Sequence, residues 1–245
     1  MKKVILINKK EGETPLEALE VFRSKNKSYK DLPITYAGRL DPMAEGLLLL
    51  LAGEECKQKD KYLGLDKEYE FKVLFGFSTD TYDILGKVLK TQSIDNLDIN
   101  KIKKELNKLK GKVVQKYPIY SSRTVSGKPL FTYARNNTEV EIPEKEVTIK
   151  KLSIKKLEKM NNKRILENIE KRIQKVKGDF RQKEILKIWK EKLKNQDIYF
   201  IGSFSIKCSS GTYVRSIANS LGDGLHIPAL AFSIKRTKLG KWGRI

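Results

Sequence analysis

The sequence predicts an α+β protein organised around a β-sheet. Several short segments alternate apolar and polar residues, as half-buried strands do, and others repeat apolar residues every three or four positions, as amphipathic helices do. The two kinds of segment are interleaved without the regular strand–helix–strand rhythm of a parallel sheet. This pattern favours the α+β class.

The first part of the chain contains a strand, a helix and two longer strands. Residues 3–7 read as a short strand, and a helix follows from Pro15 with Thr14 as its N-cap residue. The leucine run 47–51 predicts a buried strand, and residues 67–75 predict an alternating one. One face of that alternating strand carries Tyr69, Phe71, Val73 and Phe75.

Turn-forming residues and a basic helix come next. The segment 77–86 is rich in turn formers, and the chain re-enters a strand at Lys87. Residues 98–110 predict a basic amphipathic helix that ends at Gly111.

Residues 158–196 predict a basic helical hairpin, because two apolar stripes with helical spacing flank a break at Gly178-Asp179. The first stripe consists of Ile165, Ile169, Ile173 and Val176, and the second of Ile185, Trp189 and Leu193. Between positions 155 and 195 there are 15 basic and 6 acidic side chains.

The C-terminal part predicts a strand at 199–208, a turn and a helix. The helix turns its apolar face to the core through Val214, Ile217, Ala218 and Leu221. Arg215 points elsewhere and lies near the helix N-terminus, where its charge opposes the helix dipole. Such a placement is more easily tolerated when the arginine pairs with an anion.

The charge balance indicates a polyanionic partner. Lys and Arg total 51 against 30 Asp and Glu, which gives the 245-residue chain a formal net charge of +21. A lysine-rich composition without functional meaning would give the same number. Charge alone leaves RNA, DNA and anionic lipid open as partners.

Segments for membrane insertion or export are not predicted. The longest apolar run, residues 47–52, is far shorter than the ~18 residues of a membrane span, and the N-terminal apolar segment is too short for a secretory signal. No helix-turn-helix or zinc-finger pattern supports a DNA-binding role. We therefore expect a cytoplasmic protein with no membrane partner.

The few cysteines and histidines narrow the chemistry. Cys56 and Cys208 are far apart and lack a CxxC spacing, so neither a disulfide framework nor a zinc site is indicated. His226 is the sole histidine and lies in a turn that leaves a helix, which favours a structural or surface role over a place in a catalytic triad. No P-loop or dinucleotide-binding motif is present, so we expect no metal and no cofactor.

Asp41 lies in a segment that combines a carboxylate with backbone constraints. Gly38 permits backbone conformations closed to other residues, and Pro42 fixes the chain directly after the acid. Asp41 would thus be held on a rigid loop before the leucine strand, as catalytic groups often are. A turn aspartate bonded to its own backbone is the alternative, and it is common for any Asp-Pro pair.

Five segments in order resemble the TruB family of pseudouridine synthases. The segment GRLDPMAEGLLLLLAGEECK resembles the catalytic-aspartate motif of that family. The other four are NKKEGETP, KEYEFKVLFGFSTDTYDILGKV, YPIYSSRTVSGKPLFTYAR and CSSGTYVRSIANSLG. Together the resemblance covers residues 3–154 and 199–242 and implies the pseudouridine synthase fold, a mixed and largely antiparallel sheet flanked by helices.

The resemblance also assigns roles to individual residues. It implies that Asp41 is the nucleophile, that Tyr69 stacks on the target uracil and assists proton removal at C5, and that Arg215 is the cation paired with Asp41. The further family positions that line the RNA or the pocket are occupied by Lys9, Gly12, Tyr120 and Lys128. At the family's usual histidine the chain has Tyr36, so any role of that histidine in turning out the base falls to Tyr36 or is absent.

The implied reaction isomerises uridine to pseudouridine. The bond from N1 to C1′ breaks, the base rotates and the bond from C5 to C1′ forms, with no redox change and no hydrolysis, so the reaction requires no metal or cofactor. A carboxylate can attack the sugar or the base, or stabilise a cationic sugar, and then leave. Attack at C1′ and attack at C6 both stay open.

The expected substrate is RNA, most simply the T-loop uridine 55 of tRNA. Arg39 beside the Leu-Asp pair is similar to sister families that act on ribosomal RNA, and a non-catalytic RNA-binding or chaperone protein of the same fold is a further alternative. We expect one catalytic domain over residues 1–245, no C-terminal PUA domain, and a monomer. The hairpin 158–196 lies outside the family's usual pattern and is either a solvated charged insertion or an arm that contacts RNA.

Overall fold

The computed structural model describes residues 2–243, which form twelve β-strands and seven α-helices. The strands are β1 (Val4–Lys9), β2 (Ile34–Ala37), β3 (Ala44–Ala52), β4 (Lys67–Phe75), β5 (Phe77–Thr79), β6 (Val88–Thr91), β7 (Gly111–Lys116), β8 (Thr124–Val125), β9 (Lys128–Pro129), β10 (Glu144–Asn161), β11 (Ile198–Cys208) and β12 (Ala229–Leu239). The helices are α1 (Pro15–Lys25), α2 (Lys59–Leu63), α3 (Ile99–Lys108), α4 (Leu130–Arg135), α5 (Asn162–Ile173), α6 (Gln182–Lys192) and α7 (Val214–Leu225). Met1, Arg244 and Ile245, which belong to the predicted domain 1–245, lie outside the described residues.

One eight-stranded sheet organises the fold. Its strands run in the order β1-β3-β12-β4-β11-β10-β7, and β2 pairs with β3. Among the described strands of this sheet, β3 and β12 form the one parallel pair, and the other neighbours are antiparallel. The predicted α+β class with a mixed, largely antiparallel sheet is confirmed.

The two faces of the sheet are covered by different helices. On one face, β4 contributes the predicted set Tyr69, Phe71, Val73 and Phe75, and these side chains pack with α3 and α7. The face of α7 that was predicted to be apolar is buried there as Val214, Ile217, Ala218 and Leu221. On the other face, Leu74 of β4 packs with Phe77, Ile84 and the helices α5 and α6. Alternation along β4 therefore divides its side chains between two cores.

The predicted hairpin is present but begins later than the sequence indicated. The hairpin comprises α5, α6 and the connecting residues 174–181. Residues 158–161, which were assigned to it, instead extend β10 and pair with residues 198–201 of β11. These positions lack clear alternation, and the backbone ladder with β11 holds them in the strand.

The hairpin packs against the sheet through its apolar stripes. Ile165, Ile169 and Ile173 of α5 and Ile185 and Trp189 of α6 are all fully buried. The indole N–H of Trp189 donates to the carbonyl of Ile84 at 3.1 Å. The hairpin is thus part of the folded core, and its charged residues other than the buried Arg172 cover its outer side.

Several local predictions shift by one or two residues. The strand predicted at 3–7 runs over Val4–Lys9, the strand predicted from Lys87 starts at Val88, and the basic helix spans Ile99–Lys108 with Asp98 as its N-cap. The helix from Pro15 is confirmed with a complete capping box between Thr14 and Glu17.

None of the helices between residues 2 and 243 has the length and apolar character needed to span a lipid bilayer.

Candidate active site

Asp41 lies on a tight loop between β2 and β3. Gly38 adopts a φ of +82°, a left-handed conformation that favours glycine, and thereby turns the chain into this loop. The carbonyl of Asp41 accepts the N–H of Ala44 at 3.0 Å, and the carbonyl of Pro42 accepts the N–H of Gly12 at 2.8 Å. The backbone is therefore fixed on both sides, and the Asp41 side chain retains 33% exposure toward a cavity.

Arg215 holds the carboxylate of Asp41 with two hydrogen bonds. Its Nε lies 2.7 Å from Oδ2 of Asp41, and its Nη2 lies 3.0 Å from Oδ1. The remaining donors go to backbone carbonyls, from Nη1 to Thr81 at 2.6 Å and from Nη2 to Tyr120 at 3.2 Å. The Arg215 side chain is only 2% exposed, so the pair is rigid at its inner end.

A second carboxylate, that of Asp83, stands behind the pair. Its Oδ2 lies 3.8 Å from Nε of Arg215, and its Oδ1 accepts the Thr81 hydroxyl at 2.7 Å and the Leu85 N–H at 2.9 Å. Burial raises the pKa of Asp83 to about 6, the charge of Arg215 opposes this, and Asp41 adds to it.

The two carboxylates in turn keep the arginine charged. Burial by itself would lower the pKa of Arg215, but Asp41 and Asp83 raise it above its usual value. The charged guanidinium gives the carboxylate of Asp41 a cationic partner that donates to both of its oxygens. The arrangement therefore presents one oriented carboxylate, that of Asp41, to the cavity.

Tyr69 and Arg236 face each other across neighbouring strands at the same cavity. Tyr69 of β4 is paired in register with Arg236 of β12, and both line the cavity. Burial raises the pKa of the Tyr69 hydroxyl, and the charge of Arg236 opposes that rise. In the resting site the hydroxyl is therefore protonated at neutral pH.

Arg236, which is only 1% exposed, was not predicted from the sequence as a site residue. Its Nε donates to the carbonyl of Leu47 at 2.6 Å and its Nη1 to that of Arg39 at 3.4 Å. Its Nη2 is buried without a hydrogen-bond partner within residues 2–243. The available signal was strand parity, because Arg236 shares the inward face of β12 with Ile234, which also lines the cavity.

The cavity that holds these groups measures about 800 Å³. Tyr36 and Tyr120, both predicted from the sequence, contribute to its wall together with Asp41, Tyr69 and Arg215. Its size lies within the range of small-molecule sites and is sufficient for one nucleoside.

Three other predicted residues lie outside the cavity lining. Lys9 is fully buried and donates from Nζ to the carbonyls of Lys10 at 2.9 Å and Glu13 at 2.5 Å. Burial lowers the pKa of Lys9 to about 8, and nearby carboxylates, among them that of Asp41, oppose this. Gly12 contacts the Asp41 loop through its backbone, and Lys128 is exposed on β9. Gly12 therefore supports the Asp41 loop directly, and Lys9 supports the neighbouring turn 10–13.

The connecting residues of the hairpin were not predicted at the site, yet Phe180 and Arg181 line the cavity. Nη1 of Arg181 lies 2.7 Å from Oδ2 of Asp80, and its guanidinium lies 4.6 Å from the ring centroid of Tyr120. The signal for these contacts is absent from the local sequence, because more than a hundred positions separate Arg181 from Asp80.

The remaining candidates take no part in this site. His226 ends α7 in the left-handed conformation at φ 56°, which agrees with the predicted structural role. Cys56 and Cys208 are free thiols. Within residues 2–243, no three His, Cys, Asp or Glu side chains form a group that could hold a metal ion.

Comparison with known proteins gives a family match. Residues 25–178 match the model described as TruB family pseudouridylate synthase (N terminal domain). The tRNA pseudouridine synthase B of Lactobacillus acidophilus is 32% identical over 95% of this chain and 67% of its own length. That of Endomicrobium trichonymphae is 32% identical over 96% of this chain and 84% of its own length, and that of Caldanaerobacter subterraneus is 30% identical over 97% and 68%.

Solved structures share the fold at lower identity. The chain superposes on a Cbf5-Nop10-Gar1 complex with a TM-score of 0.59 at 15% identity, covering 98% of this chain and 50% of that one. An H/ACA RNP bound to a substrate RNA containing 2′-deoxyuridine gives a TM-score of 0.57 at 14% identity, covering 98% and 48%. The chain thus spans about two thirds or more of these curated relatives and about half of these structures.

Proposed function

The chain belongs to the TruB family of pseudouridylate synthases, and we infer that it is an isomerase that converts uridine to pseudouridine in tRNA. We propose Asp41 as the nucleophile and the T-loop uridine as the target. The observation that carries the proposal is the doubly hydrogen-bonded pair of Asp41 and Arg215 at the wall of a nucleoside-sized cavity.

The pair supplies what the first chemical step needs. We propose that Asp41 acts as a carboxylate that attacks C1′ or C6, or stabilises a cationic sugar, and the guanidinium of Arg215 is its cationic hydrogen-bonding partner. Because Arg215 is anchored by the backbone carbonyls of Thr81 and Tyr120, it holds the carboxylate in one orientation. If Asp41 attacks C1′, C5 of the rotated base displaces it as the new bond forms; if it attacks C6, it leaves C6 when the C5 proton is removed and the C5–C6 double bond re-forms.

Tyr69 is positioned for the steps that involve the base. Its ring lines the cavity and can stack on the uracil, which replaces the stacking lost when the uridine leaves the RNA loop, worth ~1–3 kcal/mol. Its hydroxyl assists removal of the C5 proton after the new bond forms. The proton released from C5 balances the one needed at N1, so the reaction consumes no external acid or base.

Tyr36, in the wall of the cavity near Asp41 and Arg215, is suited to contact a base that has turned out of the RNA. Tyr36 occupies the place of the family histidine and lies within 6 Å of two cations, Arg39 at 5.9 Å and Lys59 at 5.7 Å from its ring centroid. An aromatic ring flanked by cations is suited to contact a base and its backbone during extrusion. The exposed Lys128 is available to contact RNA phosphates, and the net charge of +21 supplies further attraction.

The direct test is to map pseudouridine after incubation with unmodified RNA. We expect product at the T-loop uridine of a tRNA transcript, and in an isolated T-arm stem-loop. Product in ribosomal RNA alone would move the assignment to the sister activity. RNA binding without product in either RNA would indicate a non-catalytic protein. A size measurement in solution with and without tRNA tests whether the active form is a monomer.

A further inference from the structure

The connecting residues of the hairpin form a fixed wall of the cavity. The Gln182 side-chain amide donates to the carbonyls of Val176 at 3.0 Å and Gly178 at 2.8 Å. The N–H of Arg181 donates to the carboxylate of Asp179 at 3.1 Å. Arg181 itself adopts a left-handed backbone with φ 62°, which is unusual for arginine. This conformation is maintained where surrounding contacts determine it, and such positions concentrate at binding sites.

The Arg181 side chain is directed into the cavity and only partly used. Its Nη1 bonds to Asp80, and one face of the guanidinium covers the ring of Tyr120. Within residues 2–243 the Arg181 guanidinium forms its hydrogen bond from Nη1 to Asp80, and Nε and Nη2 form none. Since the side chain is 25% exposed, these in-plane donors can reach a ligand at the cavity mouth.

A second guanidinium stands at the same wall. Arg135 of α4 lines the cavity, lies 5.6 Å from the ring centroid of Phe131 and 5.8 Å from that of Phe180, and donates to the carbonyl of Asp179 at 3.2 Å. The hairpin is thereby linked to α4 as well as to Asp80. Two guanidiniums that pack on aromatic rings, those of Arg135 and Arg181, thus stand at the opening of the cavity, and Arg181 has N–H donors that are not bonded to the described part of the protein. Planar N–H donors held in this way are suited to bind a phosphate.

An RNA phosphate is the ligand that this arrangement fits. When a uridine turns out of its loop, the base enters the cavity and the two phosphates that flank its ribose stay at the mouth. We propose that Arg181 binds the backbone phosphate next to the target uridine and so positions the nucleotide over Asp41. This assignment rests on the proposed function. Arg181 is a positioning residue, and the hairpin then contributes to the active site itself.

The test compares two variants that each remove one positive charge from the hairpin. Arg181→Gln removes the proposed phosphate contact, and Lys187→Gln removes an exposed charge of α6 that does not line the cavity. For Arg181→Gln we expect KM to rise about tenfold with kcat changed less than about threefold. We also expect the slope of log Kd for RNA against log salt to fall by ~0.7–0.9, the loss of one phosphate contact.

The Lys187→Gln control distinguishes a specific phosphate contact by Arg181 from the general electrostatic attraction of the hairpin for RNA. Equal changes in KM and salt slope for Lys187→Gln, or native values for Arg181→Gln, would overturn the assignment. Asp80→Asn removes the partner of Arg181 but keeps its charge, so the salt slope should stay native. A slope that falls as far as in Arg181→Gln would show that Arg181 acts only by holding Asp80, and would also overturn it. If the native protein forms no pseudouridine, the proposed function fails, which is distinct from an active protein indifferent to Arg181.

Discussion

The guanidinium of Arg215 binds both carboxylate oxygens of Asp41, at 2.7 and 3.0 Å, although 174 positions separate the two residues in the chain. This contact explains the position of Arg215 near the N-terminus of α7, where a cation opposes the helix dipole. The charge is compensated by Asp41 and Asp83 instead of by the helix.

Arg215→Lys should retain the charge but lose the geometry. A lysine ammonium cannot bridge both oxygens of Asp41 and also bond to the carbonyls of Thr81 and Tyr120. We expect the single-turnover rate constant to fall by ~100-fold or more. This is the loss in rate typical of removing one oriented hydrogen-bond donor from an active site. A lysine variant with native kcat would show that charge alone is sufficient.

Tyr69→Phe should separate stacking from proton removal. The phenyl ring retains the stacking surface, so the Kd for the RNA should change by less than about twofold. Loss of the hydroxyl should lower kcat by ~100-fold or more if the hydroxyl assists proton transfer at C5. Tyr69→Ala serves as the control, because it should also weaken binding. A Tyr69→Phe enzyme with native kcat would restrict Tyr69 to stacking.

Asp83 should make stability depend on pH. Its pKa is about 6 in the folded protein against ~3.9 in an unfolded chain, so the folded state keeps a proton that the unfolded state has already lost. The stabilisation from Asp83 is therefore fully present below about pH 4 and is lost as pH rises through about 6. Urea unfolding of the native protein and Asp83→Asn should show the native advantage shrinking between pH 4 and pH 7. Parallel pH curves would contradict this assignment.

Trp189→Ala should destabilise the whole fold. Trp189 is fully buried, lies 5.0 Å from Phe77 between ring centroids, and its indole N–H bonds to the carbonyl of Ile84. We expect the free energy of unfolding in urea to fall by ~3–5 kcal/mol. The exposed Lys187→Ala on the same helix should change it by less than ~0.5 kcal/mol. A small loss for Trp189→Ala would mean that the hairpin does not share the core.

Local sequence patterns predicted most of the fold. The alternation of apolar and polar residues placed Tyr69 and Phe71 on one face of β4, and the N-cap residue Thr14 located the start of α1. Both features depend only on residues that are neighbours in the chain. The end of β10 was missed because its last residues, 158–161, are held by the ladder with β11. Tertiary hydrogen bonding there overrides the local pattern.

The candidate site was only partly predictable. The resemblance to a family pointed to Asp41, Tyr69 and Arg215, and the structure brings all three to one cavity; their catalytic roles stay predictions. Asp83 and Arg181 were not predicted as site residues, because the residues that they contact, Arg215 and Asp80, are more than a hundred positions away in the sequence. Lys9 and Gly12, predicted to line the RNA or the pocket, lie outside the cavity lining, Lys9 because it is fully buried and Gly12 because it contacts the Asp41 loop through its backbone; their role in RNA binding stays a prediction.

The most direct measurement is pseudouridine formation by Asp41→Asn at saturating tRNA. Asparagine has nearly the same shape as aspartate but is a far weaker nucleophile, so we predict no product over a time in which the native protein completes many turnovers. The variant should bind RNA with native affinity, and its free energy of unfolding in urea should lie within about 1–2 kcal/mol of the native value. The same tRNA should be converted at its T-loop uridine by the native protein. An Asp41→Asn protein that forms pseudouridine at the native rate would contradict the assignment of Asp41 as the nucleophile.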